Sequence, residues 1–318
     1  SYVYVGYPAL LFLLSFICGK AVGKKEIYPT VTLLIAAYNE ERVIREKIEN
    51  SLRIDYPKEK IEIVVVSDGS EDRTDEIVRE YGLKGVVLKR FGERMGKMGV
   101  LNRAMQEIKS EVVVLSDANT MYHIDAVKRL VRNFADPLVG AVTGDVRLES
   151  ERVSFGQGEG AYWQYERWIQ KKESEIGSII GVDGAMYAIR RELYVPPSNN
   201  IILDDFVISM NIGVRGHRVV YEPEAVAFEE TSPTWKDEFR RRPRITAGGY
   251  QALWQGEGVP SVSNGLLLFE YISHRLLRWL LPFFLIALFA ANWFVLDIIW
   301  LRIFLWCQIG FYVLALIG

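Results

Sequence analysis

Apolar runs and amphipathic stretches take turns along the first half of the chain. VTLLIAA (31–37) reads as a buried strand, and NEERVIREKIENSL after it as an amphipathic helix. IEIVVVS (61–67) predicts a second strand, and residues 72–81 a helix opened by acidic side chains. GVVLKR predicts a shorter strand, residues 97–109 a helix, and EVVVLS (111–116) another strand. Strands separated by helices of this length imply βαβ units and a mostly parallel sheet. Right-handed crossovers then place helices on both of its faces. Residues 139–148 and the segments VDGAMYAIR and VVYEPEAVAF predict further strands, with an aromatic-rich helix over 155–173. The expected fold class is α/β.

The two ends differ in kind from the middle. Mean hydropathy is +0.08 although 25% of residues are charged, because apolar residues are concentrated there. Residues 2–18 and 279–296 carry no formal charge, and 303–318 begins a third apolar run. At about 1.5 Å per residue the first is close to the shortest membrane span, and the second is long enough to cross. Lys20, Lys24 and Lys25 follow the first run, and Arg275 and Arg278 precede the second. That bias places the middle segment on the cytoplasmic side. Residues 232–276 mix Trp235, Phe239, Tyr250 and Trp254 with Lys236, Arg240, Arg241, Arg242 and Arg244, which suits a lipid headgroup region or a helix packed on the main domain. The expected layout is an N-terminal transmembrane helix (1–27), a catalytic domain (28–231), an interfacial segment (232–276) and C-terminal transmembrane helices (277–318).

Several functions are excluded by what the middle lacks. A net charge of −2 offers no basic field for nucleic acid. Cys18 and Cys307 form neither a disulfide framework nor a zinc pattern. GERMGKMG (92–99) is one residue short of a phosphate loop, and GQGEG (156–160) lacks the dinucleotide spacing. What remains is acidic. Asp68, Asp117 and Asp205 each stand where an apolar run gives way to a turn. Open α/β sheets bind ligands outside the carboxyl ends of their strands, so three carboxylates there predict one polar crevice.

Six motifs occur in order: AAYNE (36–40), SDGS (67–70), GKMGVLNRAM (96–105), SDANT (116–120), LDDF (203–206) and RRPRITAGG (241–249). Together they resemble the membrane-bound family 2 glycosyltransferases, relatives of cellulose and hyaluronan synthases. The resemblance implies a GT-A nucleotide-sugar-binding, Rossmann-like fold and a nucleoside-diphosphate sugar donor. It also implies a divalent cation (Mg2+ or Mn2+), a lipid-linked or membrane-proximal glycan acceptor, and contact with membrane lipids. By the same resemblance, Ala37, Tyr38, Glu40 and Asp68 line the nucleoside pocket, and Lys97 lies near the nucleotide or donor sugar. Asp117, with Ala118 beside it, and Asn119 meet the cation, Asn119 standing where the family more often has a second Asp. Asp205 is the general base.

Arg241 and Arg244 match the first and fourth positions of the family's Q-x-x-R-W element and would hold the diphosphate. Loss of the Gln and of the Trp (Ile245 here) argues against processive polymerisation. Asp145, Arg147, Asp183 and Asp204 are acceptor-side candidates. Simpler roles stand beside these: Asp68 bracing its own turn, Lys97 as a solvated helix-start lysine, and Asp204 capping the helix ahead of FVISMNIGV. Two alternative functions are kept, a processive polysaccharide synthase and a catalytically silent membrane protein that binds nucleotide sugar.

Overall fold

The computed structural model describes residues 2–148, 157–229, 235–294 and 297–317. After an apolar helix α1 (Tyr7–Cys18) the chain runs β1 (Val31–Ala37), α2 (Ile44–Leu52), β2 (Ile61–Asp68), α3 (Thr74–Glu80), β3 (Val86–Phe91), α4 (Gly96–Glu107) and β4 (Val112–Asp117). It continues through β5 (Thr120–Tyr122), α5 (Ala126–Val131), β6 (Val139–Leu148), α6 (Gln157–Ile176), β7 (Met186–Arg190), α7 (Asp204–Gly213) and β8 (Arg218–Glu229). Four helices close it: α8 (Trp235–Gln255), α9 (Gly265–Glu270), α10 (Leu277–Trp293) and α11 (Ile299–Ile317).

The eight strands make one sheet in the order β3-β2-β1-β4-β7-β6-β8-β5. β3, β2, β1 and β4 are parallel throughout, as the alternating pattern requires. Beyond β4 the sheet is mixed: β7 runs antiparallel to both β4 and β6, β8 is parallel to β6, and β5 is antiparallel to β8. The expected strand VDGAMYAIR shortens to β7 because its first residues turn. Asp183 Oδ1 accepts the Ala185 N–H at 3.0 Å, and Gly181 just before the segment has φ 86°.

Side chains alternate across the pleat, and the two faces bury different helices. Leu33, Ile35, Val65 and Val114 pack with Ile44 and Ile48 of α2, Ile77 and Val78 of α3, and Leu130 of α5. Leu34, Val64, Val66 and Val113 pack with Val100, Leu101 and Ala104 of α4 and Val207 and Met210 of α7. Helices therefore cover both faces of the parallel half.

Among the described residues one helical stretch, Val262–Trp293, is long and apolar enough to cross a membrane; Tyr2–Cys18 and Ile299–Leu314 are apolar but shorter. α1 lays Tyr7 and Leu11 against Ile169 and Ile176 of α6, while Phe16 and Ile17 stay 74% and 79% exposed on its other side. The Tyr7 hydroxyl donates to Glu173 Oε1 at 2.6 Å, and His274 Nδ1 lies 2.6 Å from the same oxygen. The first apolar helix, α6 and the segment entering α10 thus meet at one buried carboxylate.

Candidate active site

In a parallel sheet every strand delivers its last residue to the same edge. Here β1 ends at Ala37, β2 at Asp68 and β4 at Asp117. Ala36 pairs with Val66 on one side and Asp117 on the other, so the two aspartates flank the end of β1. The loops after β1 and β2 are laced together. Asn39 takes a left-handed φ of 55°, which asparagine tolerates. Its N–H donates to Ser70 Oγ at 3.2 Å and its Oδ1 accepts the Glu71 N–H at 2.9 Å. The Glu40 N–H donates to Thr74 Oγ1 at 2.8 Å. Tyr38 presents its ring to the Arg94 guanidinium at 4.1 Å.

Asp68 is buried, and its Oδ1 accepts the Met95 N–H at 2.7 Å. It braces the loop that leads into α4 as well as ending its own strand. That contact sets Lys97, in the first turn of α4, over the crevice. Lys97 Nζ lies 2.9 Å from Asp117 Oδ1 and 3.2 Å from Asp204 Oδ2. Burial alone would pull the Lys97 pKa down, but Asp204 and Asp117 outweigh it and hold the ammonium charged. Burial, then Asp117 and Asp72, raise the Glu40 pKa above the usual carboxylate range.

Lys97, Asp117, Gly184, Tyr187 and Asp204 line one cavity. Asp204 is not the capping residue its position suggests: Leu203 holds the N-cap of α7 and no side chain caps it. Neighbouring side chains at a helix start diverge, and Asp204 turns to Lys97. Asp205 uses Oδ1 to accept the Phe206 N–H at 2.7 Å. Its Oδ2 is enclosed against Gly184, where an added Cβ would come within 2.9 Å. Enclosure and the adjacent Asp204 push the Asp205 carboxyl up to about 7, with Lys97 pulling the other way.

The remaining sequence candidates divide. Asp183 sits in the turn beside Gly184, and its N–H donates to Thr143 Oγ1 at 3.1 Å. Ala118 is buried behind Asp117. Asn119 gives its Nδ2 to Glu229 Oε1 at 3.2 Å, which leaves its carbonyl oxygen as the side-chain atom that could meet a cation. Asp145 is buried between Arg147 and Arg167, at 2.8 and 2.6 Å. Asp145, Arg147 and Arg167 form an ion-pair cluster joining β6 to α6. Arg244 stands exposed on α8, and the side chain of Arg241 lies outside the described residues.

The donor set fits a divalent cation of one kind. Asp117, 36% exposed at its side chain, and the Asn119 carbonyl are hard oxygen donors. Its neighbour Lys97 already places a positive charge on Asp117. Among the described residues no group of three His, Cys, Asp or Glu could hold a metal. These two oxygens would suit a Mg2+ or Mn2+ that takes its other ligands from outside the protein.

One residue escaped the sequence reading. Lys47 is fully buried, and its Nζ donates to Ser116 Oγ at 2.7 Å and to the Thr120 carbonyl. Residues 44, 47, 48 and 51 share one helix face, so the spacing with Ile44 and Ile48 was the available signal.

Parallel strands bringing carboxylates and a lysine to their carboxyl edge, completed by a mixed sheet, define a GT-A-like glycosyltransferase fold. The family model described as "Glycosyltransferase like family 2" matches residues 29–248, and the chain belongs to that family. It is 28% identical over 231 residues to poly-beta-1,6-N-acetyl-D-glucosamine synthase of Staphylococcus aureus, covering 70% of this chain and 55% of that protein. The chain thus spans about half the length of the curated relatives it matches. Among solved structures it is similar to the mannosyltransferase PcManGT from Pyrobaculum calidifontis in complex with GDP-Man and Mn2+. The TM-score is 0.72 at 24% identity, over 96% of this chain and 93% of that one. GalNAc-T7 with UDP, GalNAc and Mn2+ is similar at a TM-score of 0.50 and 18% identity, over 68% of this chain and 48% of that one. These likenesses are of fold.

Proposed function

We propose that the chain moves one sugar, with inversion, from a nucleoside-diphosphate sugar to a hydroxyl of a lipid-linked or membrane-proximal glycan acceptor. The observation that carries the reading is Lys97 held between Asp117 and Asp204, with the Asp205 carboxyl beside them poised near neutrality. A general base works best when its pKa lies near the operating pH.

In the proposed step the acceptor oxygen attacks the anomeric carbon as the bond from that carbon to the diphosphate breaks. The electron pair leaves with the diphosphate, and Asp205 takes the acceptor's proton at Oδ2. Asp68, Ala37, Tyr38 and Glu40 bind the nucleoside, while Lys97, Arg241 and Arg244 place positive charge beside the diphosphate. Asp183 and Asp204 border the acceptor. Asp117 and Asn119 would hold a Mg2+ or Mn2+, which when bound offsets charge on the departing diphosphate; two solved structures of similar fold contain Mn2+. Val262–Trp293, with α1 and α11 beside it, would anchor the protein in a membrane, the catalytic domain facing the cytoplasm. Arg242 on α8 would lie near lipid headgroups.

The test is turnover. Purified protein given a panel of nucleotide sugars with Mn2+ or Mg2+ should release nucleoside diphosphate, and Asp205→Asn should abolish this without unfolding. Undiminished turnover in that variant would exclude Asp205 as base. A second reading, processive synthesis, is favoured by the match to a poly-N-acetylglucosamine synthase. Product length separates the two: a ladder of long chains would replace the single-transfer reading.

A further inference from the structure

We infer that Lys47 is a positioning residue for the cation-binding turn, clamping from behind the two ends of the segment that carries Asp117 and Asn119. The inference rests on the donor-site reading above. Ser116 immediately precedes Asp117 and Thr120 immediately follows Asn119. One ammonium reaches both: Lys47 Nζ donates to Ser116 Oγ at 2.7 Å and to the Thr120 carbonyl. Ser116 Oγ in turn donates to the Asp117 carbonyl at 3.1 Å, so the hold is passed on to the aspartate's own backbone. The Tyr122 ring closes the remaining side, its centroid 4.1 Å from Nζ.

A lysine is an expensive way to fill this space. Its neighbours Ile44, Ile48 and Ser51 on the same helix are buried, and its contacts among the described residues are a hydroxyl, a carbonyl and a ring, all neutral. Burial drags its pKa down to about 7, with Asp117 partly opposing. Methionine would fill the same volume without burying a charge. What the ammonium adds is direction, with several N–H donors on one atom that can tie two points of a turn together. A turn held at both ends keeps the carboxylate and amide oxygens in place before any cation arrives. Removing such supporting partners typically lowers metal affinity about 10- to 100-fold.

Calorimetric titration of Mn2+ into the full chain, with UDP or GDP at saturation, tests this in wild type, Lys47→Met, Ser116→Ala and the double variant. Wild type should bind. Lys47→Met should weaken Mn2+ binding by about 10- to 100-fold, and Ser116→Ala by less. The double variant should be no weaker than Lys47→Met, because both act through one turn. Thermal melts in EDTA establish that each variant is folded. A folded Lys47→Met with wild-type Mn2+ affinity would overturn the inference, leaving Lys47 a packing residue only. Should Lys47→Met not fold, an unchanged affinity in Ser116→Ala overturns it instead. Failure of the wild type to bind Mn2+ with either nucleotide would remove the donor-site reading itself, and this inference with it.

Discussion

Asp68 and Met95 lie 27 residues apart, yet a single 2.7 Å hydrogen bond from the Met95 N–H to Asp68 Oδ1 ties the end of β2 to the entrance of α4. Lys97 follows two residues later, so the Asp68 end of the crevice and the Lys97 ammonium are placed by one contact. Asp68→Ala should loosen both. A hydrogen bond to a charged group contributes roughly 1.5–3 kcal/mol, so the donor KM should rise about tenfold or more. Steady-state kinetics against donor concentration measures this; an unchanged KM would mean that Asp68 acts only on its own turn.

Asp205→Asn should separate activity from stability. Loss of a positioned base lowers turnover by about 10²–10⁴-fold. The folded carboxyl titrates near 7, above its ordinary range, so the folded state holds this proton more tightly than the unfolded chain. The contribution of Asp205 to stability is then full at pH 4 and below, and is lost as pH rises through about 7. The amide does not ionise. Melting temperatures of the two proteins should diverge in favour of the variant between about pH 4 and 7 and keep a constant gap above that; curves parallel through that window would refute the raised pKa.

The acid limb of kcat/KM should move in opposite directions in two variants. Asp204 raises the Asp205 pKa and Lys97 lowers it. Asp204→Asn should therefore shift the limb to lower pH, and Lys97→Met to higher pH. Lys97→Met should also lose activity at every pH, because Asp117 and Asp204 are left without their shared counter-charge. A limb that stays put in both variants would show that another group limits the rate.

Gly184→Ala is the mildest probe of the base. The new Cβ would meet Asp205 Oδ2 at 2.9 Å, closer than real contacts allow. The atom that must yield is the tip of a side chain, so the fold should survive with little change in melting temperature. The carboxylate would be displaced, and turnover should fall with donor affinity retained. Calorimetry with nucleoside diphosphate beside a turnover assay would show the split.

The parallel half of the sheet was legible because β1, β2 and β4 are runs dominated by Val, Ile and Leu that end in Ser-Asp or Ala-Ala. β5 and α5 were not, since a three-residue strand and a six-residue helix are too short to show a period. The mixed half depends on pairings such as Val142 with Ala188, which no local pattern reports. At the site, Asp117 and Lys97 stood out through their motifs. Asp204 looked like a helix cap because capping preference is local, whereas its contact with Lys97 spans two helices. Lys47 hid in plain view on an apolar face: charge suggested solvent, and only the tertiary turn behind β4 explains its burial.

The meeting of Tyr7 and His274 on Glu173 has a practical bearing on how this enzyme can be handled. Trimming the first twenty-odd residues to obtain a water-soluble fragment would bare Ile169 and Ile176 and strip a hydroxyl from an interior acid. Preparations that keep α1 should therefore yield a better-behaved protein than any version that lacks it.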